Sequence, residues 1–133
     1  PRVSAVVFIP PDAVETAVAR GLLPDAISHE DAARNAGRAA LLVTALGGRP
    51  ELLLAATEDR LHQDYRGPAM PQSLELVHEL RRSGLPAVIS GAGPTVLVLT
   101  DVTDQDEVAR RVPTGWRALS LEVERTGATV VPG

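Results

Sequence analysis

The sequence predicts an α+β domain built around an antiparallel sheet of four strands. Three observations support this class: a β-rich apolar run opens the chain at Val3–Ile9, two apolar runs at Ala87–Ile89 and residues 96–99 flank a glycine loop, and residues 116–124 alternate between apolar and polar side chains. Helical patterns fill the intervals. Apart from extra helices in the first crossover, this order of elements is that of the ferredoxin-like fold, with helices expected on one face of the sheet.

The first strand, Val3–Ile9, is mostly apolar, which predicts a central position in the sheet. Two prolines follow and end it. Asp12 and Glu15 then stand three residues apart, which is the spacing of a capping box. The sequence therefore predicts a first helix over residues 13–22.

The rest of the first crossover has the pattern of two further helices. Ser28 and Asp31 repeat the capping spacing and predict a helix that continues to Leu46, where two glycines end it. Pro50 suits the first turn of a helix over residues 51–59. The apolar stripe of the longer helix is predicted to consist of Ala39, Leu42, Val43 and Leu46. Its polar side is predicted to consist of Arg34, Asn35 and Arg38.

The second half of the chain begins with a polar segment, residues 60–68, which is predicted to be a loop. A fourth helix is expected to start at Pro71 and to end at Gly84. After the hairpin, residues 104–112 are predicted to form a short helix that the next proline stops. The tail, residues 127–133, is expected to add at most a short edge strand.

The composition excludes several classes of protein. The chain has 133 residues, enough for one domain, and 44% of them are hydrophobic but only 2% aromatic, so the core must consist of Leu, Val, Ile and Ala. There is no Cys, which excludes disulfides and thiolate chemistry. The net charge of −4 argues against a nucleic-acid surface. No apolar run reaches the roughly 18 residues of a membrane span, and no signal peptide is evident. Because the chain starts at Pro1, it is expected to be part of a longer protein.

The loop at residues 89–95, Ile-Ser-Gly-Ala-Gly-Pro-Thr, lies between two predicted strands. Gly91 and Gly93 permit positive φ or the close approach of a ligand, and Ser90 adds a hydroxyl. Pro94 restrains the entry into the next strand. Two interpretations remain open: the loop binds an oxygen-rich group through several N–H groups, or its glycines only serve a tight hairpin.

Three side chains are candidates for binding an anion. Thr16 and Arg20 are four residues apart on the first predicted helix and share one face. Arg66 lies in the polar segment and could form a second carboxylate contact, because a guanidinium pairs with a carboxylate through two hydrogen bonds. The alternative is that all three are ordinary surface residues.

No metal site or complete catalytic arrangement is predicted. The histidines lack the spacing of metal ligands; they are His29, His62 and His78. Three carboxylates lie near the end of the third helix, where a solvated helix end is the simpler interpretation; they are Glu58, Asp59 and Asp64. The sequence also has no Walker-type phosphate loop.

Taken together, four segments resemble the C-terminal half of the homoserine kinases, which belong to the GHMP small-molecule kinases. The segments, in order, are residues 14–24, Asn35 with residues 38–42, residues 56–66 and residues 89–95. The similarity runs from Val3 to Leu99 and more weakly to the end. It implies that residues 1–133 form a GHMP kinase C-terminal, substrate-side domain whose N-terminal ATP-binding domain is absent from this chain. The ferredoxin-like order agrees with that family.

The resemblance implies an enzyme that transfers the γ-phosphoryl group of ATP to L-homoserine, giving O-phospho-L-homoserine for threonine biosynthesis in the cytoplasm. ATP and Mg²⁺ would be bound mainly by the missing N-terminal domain. The fragment alone is therefore expected to be inactive. The implied partners are L-homoserine and that N-terminal domain, without nucleic acid or membrane, and dimerisation through an apolar face left exposed is a further hypothesis.

The resemblance also assigns roles to residues. Thr16, Arg20 and Arg66 would face homoserine, with both arginines on its carboxylate, and Arg20 is the nearest candidate for a catalytic residue. The third family motif, which would face the missing phosphate loop, corresponds to Ser90, Gly91, Ala92 and Gly93. One departure is Glu15, where relatives commonly carry Ser.

Two alternatives to this function stay open. The chain could be a ferredoxin-like regulatory module that binds an amino acid through the same arginines. The long insertion in the first crossover argues against such a module, which usually crosses over with one helix. The chain could also be the C-terminal domain of another GHMP kinase, although the candidate set of Thr16, Arg20 and Arg66 favours an amino-acid substrate.

Overall fold

The computed structural model of the chain describes residues 3–131 and confirms the α+β class. The described elements are β1 Val3–Ile9, α1 Thr16–Gly21, α2 His29–Leu46, α3 Leu53–Ala56, α4 Gln63–Arg66, α5 Pro71–Arg82, β2 Ala87–Ile89, β3 Val96–Asp101, α6 Gln105–Ala109 and β4 Arg117–Leu121. The strands form one antiparallel sheet in the order β2-β3-β1-β4. This order confirms the predicted ferredoxin-like arrangement.

The main core lies on one face of the sheet. Alternate residues of β1, such as Val6 and Phe8, are fully buried, and they pair with Val98 and Val96 of β3. Against this face pack apolar side chains of α1, α5 and α6, namely Ala19, Leu76, Val77, Leu80 and Val108. The central position of β1 and the helix-covered face therefore follow the prediction.

A smaller core lies at one end of the opposite face. Ala45 of α2 packs with Leu53 and Ala56 of α3 against Val3 and Leu99. These two sheet residues alternate with the buried residues of the main core, so their side chains point to the other face. The helices inserted in the first crossover therefore cover part of the face that was expected to lack helices.

The predicted ends of α2 and α5 are confirmed, because both depend on local capping chemistry. Ser28 Oγ accepts a hydrogen bond from the Asp31 N–H at 3.1 Å, which caps α2 at its first turn. Pro71 occupies the first turn of α5, and Gly84 follows with a φ of +84°.

The apolar stripe predicted for α2 is partly wrong. Val43 is 75% exposed and Leu46 is 39% exposed, whereas Leu41, Leu42 and Ala45 pack toward the smaller core. The polar residues predicted for the other side instead turn toward the segment after α3, where they bind Glu58 and Arg60. One face of α2 therefore carries both these tertiary hydrogen bonds and the side chains that pack toward the smaller core.

The first helix begins later than predicted. Residues 10–15 are not helical, and Glu15 caps α1 in an extended conformation without a side-chain hydrogen bond. Asp12 is therefore not the helix cap. From this extended stretch, Val14 packs against the main core, so burial of an apolar side chain outweighs the local capping pattern.

The third predicted helix is shorter than residues 51–59. A 3₁₀ turn at Pro50–Leu52 leads into α3, and Thr57 ends the helix with its Oγ1 donating to Leu53 O at 2.8 Å. The segment at residues 60–68, predicted to be a loop, contains the single-turn helix α4 and the start of a 3₁₀ turn at Gly67–Ala69. Asp59, the residue before that segment, accepts the N–H groups of His62 and Gln63 at the start of α4.

The C-terminal elements are also shorter than predicted. A 3₁₀ turn at Val102–Asp104 precedes α6, because Asp101 Oδ1 accepts the Thr103 N–H at 3.0 Å. The pairing of β4 with β1 ends at Leu121. Residues 127–131 contain no regular structure, so the expected edge strand is not formed there, and residues 132 and 133 lie outside the described range. No helix within residues 3–131 is long and apolar enough to cross a membrane.

Candidate functional site

The glycine loop forms a tight hairpin between β2 and β3. The Ser90 N–H donates to Thr95 O at 2.8 Å, and the Gly93 N–H donates to Ser90 O at 2.9 Å. Gly91 and Gly93 have φ values of +58° and +84°, a region that favours glycine. A Cβ at Gly93 would overlap the buried side chain of Met70. Two N–H groups of the motif therefore serve the turn, and its backbone packs directly on the core.

Beside this loop, Asp59 holds the first turn of α4. Its Oδ2 accepts the N–H groups of His62 and Gln63 at 2.8 and 2.7 Å, and its Oδ1 lies 2.9 Å from His62 Nδ1. Burial raises the pKa of Asp59, but the hydrogen bonds from Gln63 and His62 outweigh it and hold the pKa below its usual value. The carboxylate is therefore ionised at neutral pH and fixes both His62 and the start of α4.

Two side chains of α4 reach the hairpin. The Ile89 N–H donates to Gln63 Oε1 at 2.5 Å, and Arg66 Nη1 donates to Gly91 O at 2.8 Å. The Arg66 Nε is buried and has no hydrogen-bond partner within residues 3–131. Nε shares an edge of the guanidinium with Nη2, and a carboxylate on that edge would satisfy the orphaned N–H.

A cavity with a volume of about 400 Å³ lies beside α4 and the hairpin. It is lined by Arg20, Asp59, His62, Gln63, Arg66, Val88, Ile89, Gly91 and Ala92. Arg20 enters from α1, Arg66 from α4, and the hairpin forms the remaining wall. The fold therefore brings together two guanidinium groups that are 46 positions apart in the sequence.

Only some of the predicted site residues line this cavity. Arg20, Arg66, Gly91 and Ala92 line it, whereas Thr16, Ser90 and Gly93 are not among its lining residues. Thr16 is exposed one helical turn before Arg20, and Gly93 faces the core. The two arginines and the hairpin are thus assembled in one place, while the Thr16 hydroxyl has no part in the cavity wall.

The charges of the cavity suit an anionic ligand. The Asp59 carboxylate also lines the cavity, and it is hydrogen-bonded to His62 and to the Gln63 N–H. Ion pairs with an acidic side chain are absent for both Arg20 and Arg66 within the described chain. A small molecule with a carboxylate would therefore meet two unpaired guanidinium groups beside the apolar side chains of Val88 and Ile89.

The acidic residue next to Asp59, Glu58, forms ion pairs with two arginines of α2. Glu58 Oε2 accepts from Arg34 Nη2 and from Arg38 Nε, both at 3.0 Å. Burial raises the pKa of Glu58, but these two arginines outweigh it and lower the pKa. Asn35 Oδ1 accepts the Arg60 N–H at 2.8 Å. Among residues 3–131, no group of three or more His, Asp or Glu side chains could hold a metal ion.

Sequence reasoning missed Asp59, His62 and Gln63 as site residues. The sequence pattern placed Asp59 only at a solvated helix end, whereas its carboxylate accepts the N–H groups of His62 and Gln63 at the start of α4. The contact of Gln63 with Ile89 joins positions 26 residues apart, which no local pattern encodes.

Comparisons with known proteins agree with this fold. The family model "GHMP kinases C terminal" matches residues 32–118. Homoserine kinase of Streptomyces avermitilis is 63% identical over 127 residues, covering 96% of this chain and 42% of that protein. Homoserine kinase of Clavibacter michiganensis subsp. michiganensis is 53% identical over 133 residues, again covering 96% of this chain and 42% of that protein.

A solved structure of homoserine kinase from Cytophaga hutchinsonii superimposes with a TM-score of 0.81 at 21% identity, covering 92% of this chain and 42% of that one. At this identity the similarity shows the fold. The chain spans about two fifths of the length of the curated relatives it matches. Because the family model covers most of the chain and the sheet has the expected order, the chain belongs to the GHMP kinase C-terminal domain family.

Proposed function

We propose that this chain is the substrate-side domain of a homoserine kinase. The observation that carries the proposal is the identity of 53–63% with proteins named homoserine kinase over nearly the whole chain. The proposed reaction transfers the γ-phosphoryl group of ATP to the side-chain hydroxyl of L-homoserine and gives O-phospho-L-homoserine. An N-terminal GHMP domain of the same enzyme would supply most contacts to ATP and Mg²⁺.

The cavity supports specific roles for its arginines. Arg66 would bind the homoserine carboxylate with the guanidinium edge that carries the unpartnered Nε, while its Nη1 stays on Gly91 O. Arg20 would bind the same carboxylate from α1, and it is the candidate of this chain for contact with the reacting hydroxyl. Thr16 would need to contact substrate from outside the cavity wall, one turn before Arg20.

The proposed mechanism relies on positioning and charge. Phosphoryl transfer requires the attacking hydroxyl to be held in line and the developing charge to be stabilised. In this chain the two arginines would orient homoserine, and the motif Ser90–Gly93 would lie against the phosphate-binding part of the N-terminal domain. We assign no general base among residues 3–131.

The proposal is tested with the full-length enzyme and the substitution Arg66→Ala. Loss of a buried partner for the carboxylate should raise the KM for L-homoserine, at a cost of about 2–5 kcal/mol in substrate binding. Arg111→Ala, at an exposed arginine outside the cavity, is the control and should leave KM unchanged.

Two outcomes would contradict the proposal. An unchanged KM in Arg66→Ala would remove Arg66 from the site. Phosphorylation of a sugar or isoprenoid alcohol in preference to L-homoserine by the wild-type enzyme would indicate another GHMP kinase.

A further inference from the structure

We propose that Gln63 is a positioning residue of the candidate site: its side chain ties α4, and with it Arg66, to the strand that leads into the glycine loop. This inference rests on the proposed function, because Arg66 is taken to bind the homoserine carboxylate. Gln63 itself would act through Arg66 and the hairpin.

The first step concerns the free edge of the sheet. β2 is an edge strand, so half of its backbone groups point away from β3 and lack a strand partner. The Ile89 N–H finds its acceptor in Gln63 Oε1 at 2.5 Å. The Ala87 carbonyl likewise accepts from Arg81 Nη1 at 3.1 Å. Side chains thus take the place of a neighbouring strand along this edge.

The second step concerns the stability of α4. A helix of four residues cannot persist through its own hydrogen bonds, because nucleation of a single turn is unfavourable. Its position must come from outside contacts. Asp59 holds its first turn, Gln63 bonds to Ile89, and Arg66 bonds to Gly91.

The third step concerns the direction of the Arg66 guanidinium. The hydrogen bond from Arg66 Nη1 to Gly91 O orients the opposite edge of the guanidinium, which is formed by Nε and Nη2. This orientation is kept only while the distance between α4 and the hairpin stays fixed. Gln63 sets that separation from three residues earlier on the same short helix. Without its acceptor oxygen, the Ile89 N–H would lose its partner, α4 would shift, and the guanidinium would no longer match a bound carboxylate.

The test uses the full-length enzyme with Gln63→Met, which keeps side-chain length but removes the acceptor. We expect kcat/KM for L-homoserine to fall roughly 10- to 100-fold, mainly through KM, because small misplacements of a binding group are costly. Gln72→Met, at an exposed glutamine on α5, is the matched control and should behave as wild type.

A double-mutant cycle separates positioning from general destabilisation. If Gln63 acts through Arg66, adding Gln63→Met to Arg66→Ala should change KM by less than about twofold, because the group it positions is already gone. Fully additive effects or an unchanged KM in Gln63→Met would each overturn the proposal.

Amide hydrogen exchange provides a readout that does not depend on catalysis. The Ile89 amide should exchange faster in full-length Gln63→Met than in wild type, while amides in the centre of β1 stay unchanged. If the wild-type enzyme did not phosphorylate homoserine but Ile89 exchange rose in the variant, the proposed function would fail and the structural tie would stand. Unchanged Ile89 exchange would refute the tie itself.

Discussion

At the scale of single residues, two side chains hold the backbone of the glycine loop. Ser73 Oγ donates to Pro94 O at 2.6 Å and holds the exit of the glycine loop on α5. Arg66 Nη1 of α4 donates to Gly91 O at 2.8 Å and holds the loop on α4. The loop is thus held from both sides by side chains that are distant in sequence, so its conformation depends on the surrounding fold as well as on its glycines.

The two glycines of this loop should respond differently to substitution. Gly91→Ala meets only the strain of a positive φ, since no atom lies within 4 Å of the added methyl, and should cost about 1 kcal/mol. Gly93→Ala adds overlap with buried Met70 and contact with Ile89, and should cost about 3 kcal/mol or more. Urea unfolding of the two variants measures the difference. Equal destabilisation would show that packing around Gly93 is not restrictive.

Asp59 should make stability depend on pH. Its folded-state pKa lies below its unfolded value of about 4, so the carboxylate stabilises the fold above that pH, and the contribution is lost as pH falls through the folded pKa. Asp59→Asn should therefore be less stable than wild type near neutral pH, by about 1 kcal/mol.

The gap between wild type and Asp59→Asn should shrink as pH drops below about 4. Urea unfolding near neutral pH and below pH ~4 measures this difference, and Asp25→Asn, at an exposed position, is the control. A gap that stays constant would mean that Asp59 has the same pKa in the folded and unfolded chain.

At the scale of elements, edge strand β2 and short helix α3 depend on one arginine. Arg81 Nη2 donates to Leu54 O at 2.6 Å, and its Nη1 donates to Thr57 Oγ1 at 2.8 Å and to Ala87 O at 3.1 Å. Burial lowers the pKa of Arg81, against the attraction of Glu58, which raises it. This side chain therefore joins α5, the end of α3 and the outer edge of β2.

A pair of neighbouring arginines tests that role. Arg81→Met should destabilise the chain by about 2–3 kcal/mol, because the Leu54 and Ala87 carbonyls lose a charged donor. Arg82→Met, one residue further on the exposed side of α5, should stay within about 0.5 kcal/mol of wild type. Denaturant midpoints of the two variants give the comparison. Similar values would show that the Arg81 bonds are replaced by water without cost.

At the scale of the whole molecule, the sheet face opposite the main core is only partly covered. Val7 pairs with Leu119 and Ala5 pairs with Leu121, so these four side chains share one face. Leu119 and Leu121 remain 39% and 43% exposed. In the proposed enzyme, a further domain could cover this face; in the isolated chain it is free to associate.

The isolated 133-residue chain should therefore dimerise through this face at high concentration. Leu119→Glu should weaken the association, because a charge would be buried in an apolar interface. Val130→Glu, in the fully exposed tail, is the control and should not. Sedimentation equilibrium measures both. A wild-type chain that stays monomeric at every concentration would contradict the expectation.

Much of the fold could be predicted because its signals are local. The apolar run of β1, the Ser28 cap of α2 and the proline at the start of α5 each act within a few residues, and each element appears where expected. The hairpin was predictable for the same reason, since two apolar runs joined by a short glycine loop can only turn back. The resemblance that identified the family also rests on continuous segments.

The tertiary structure alone decided the late start of α1, the rotation of α2 and the presence of α4. In each case a distant contact overrides the local pattern: Val14 on the core, Glu58 with the arginines of α2, and Gln63 on Ile89. The presence of Arg20 and Arg66 in the lining of one cavity likewise depends on the tertiary structure. The physical reason is that buried polar groups and apolar side chains must find partners wherever the chain brings them, and those partners lie far apart in sequence.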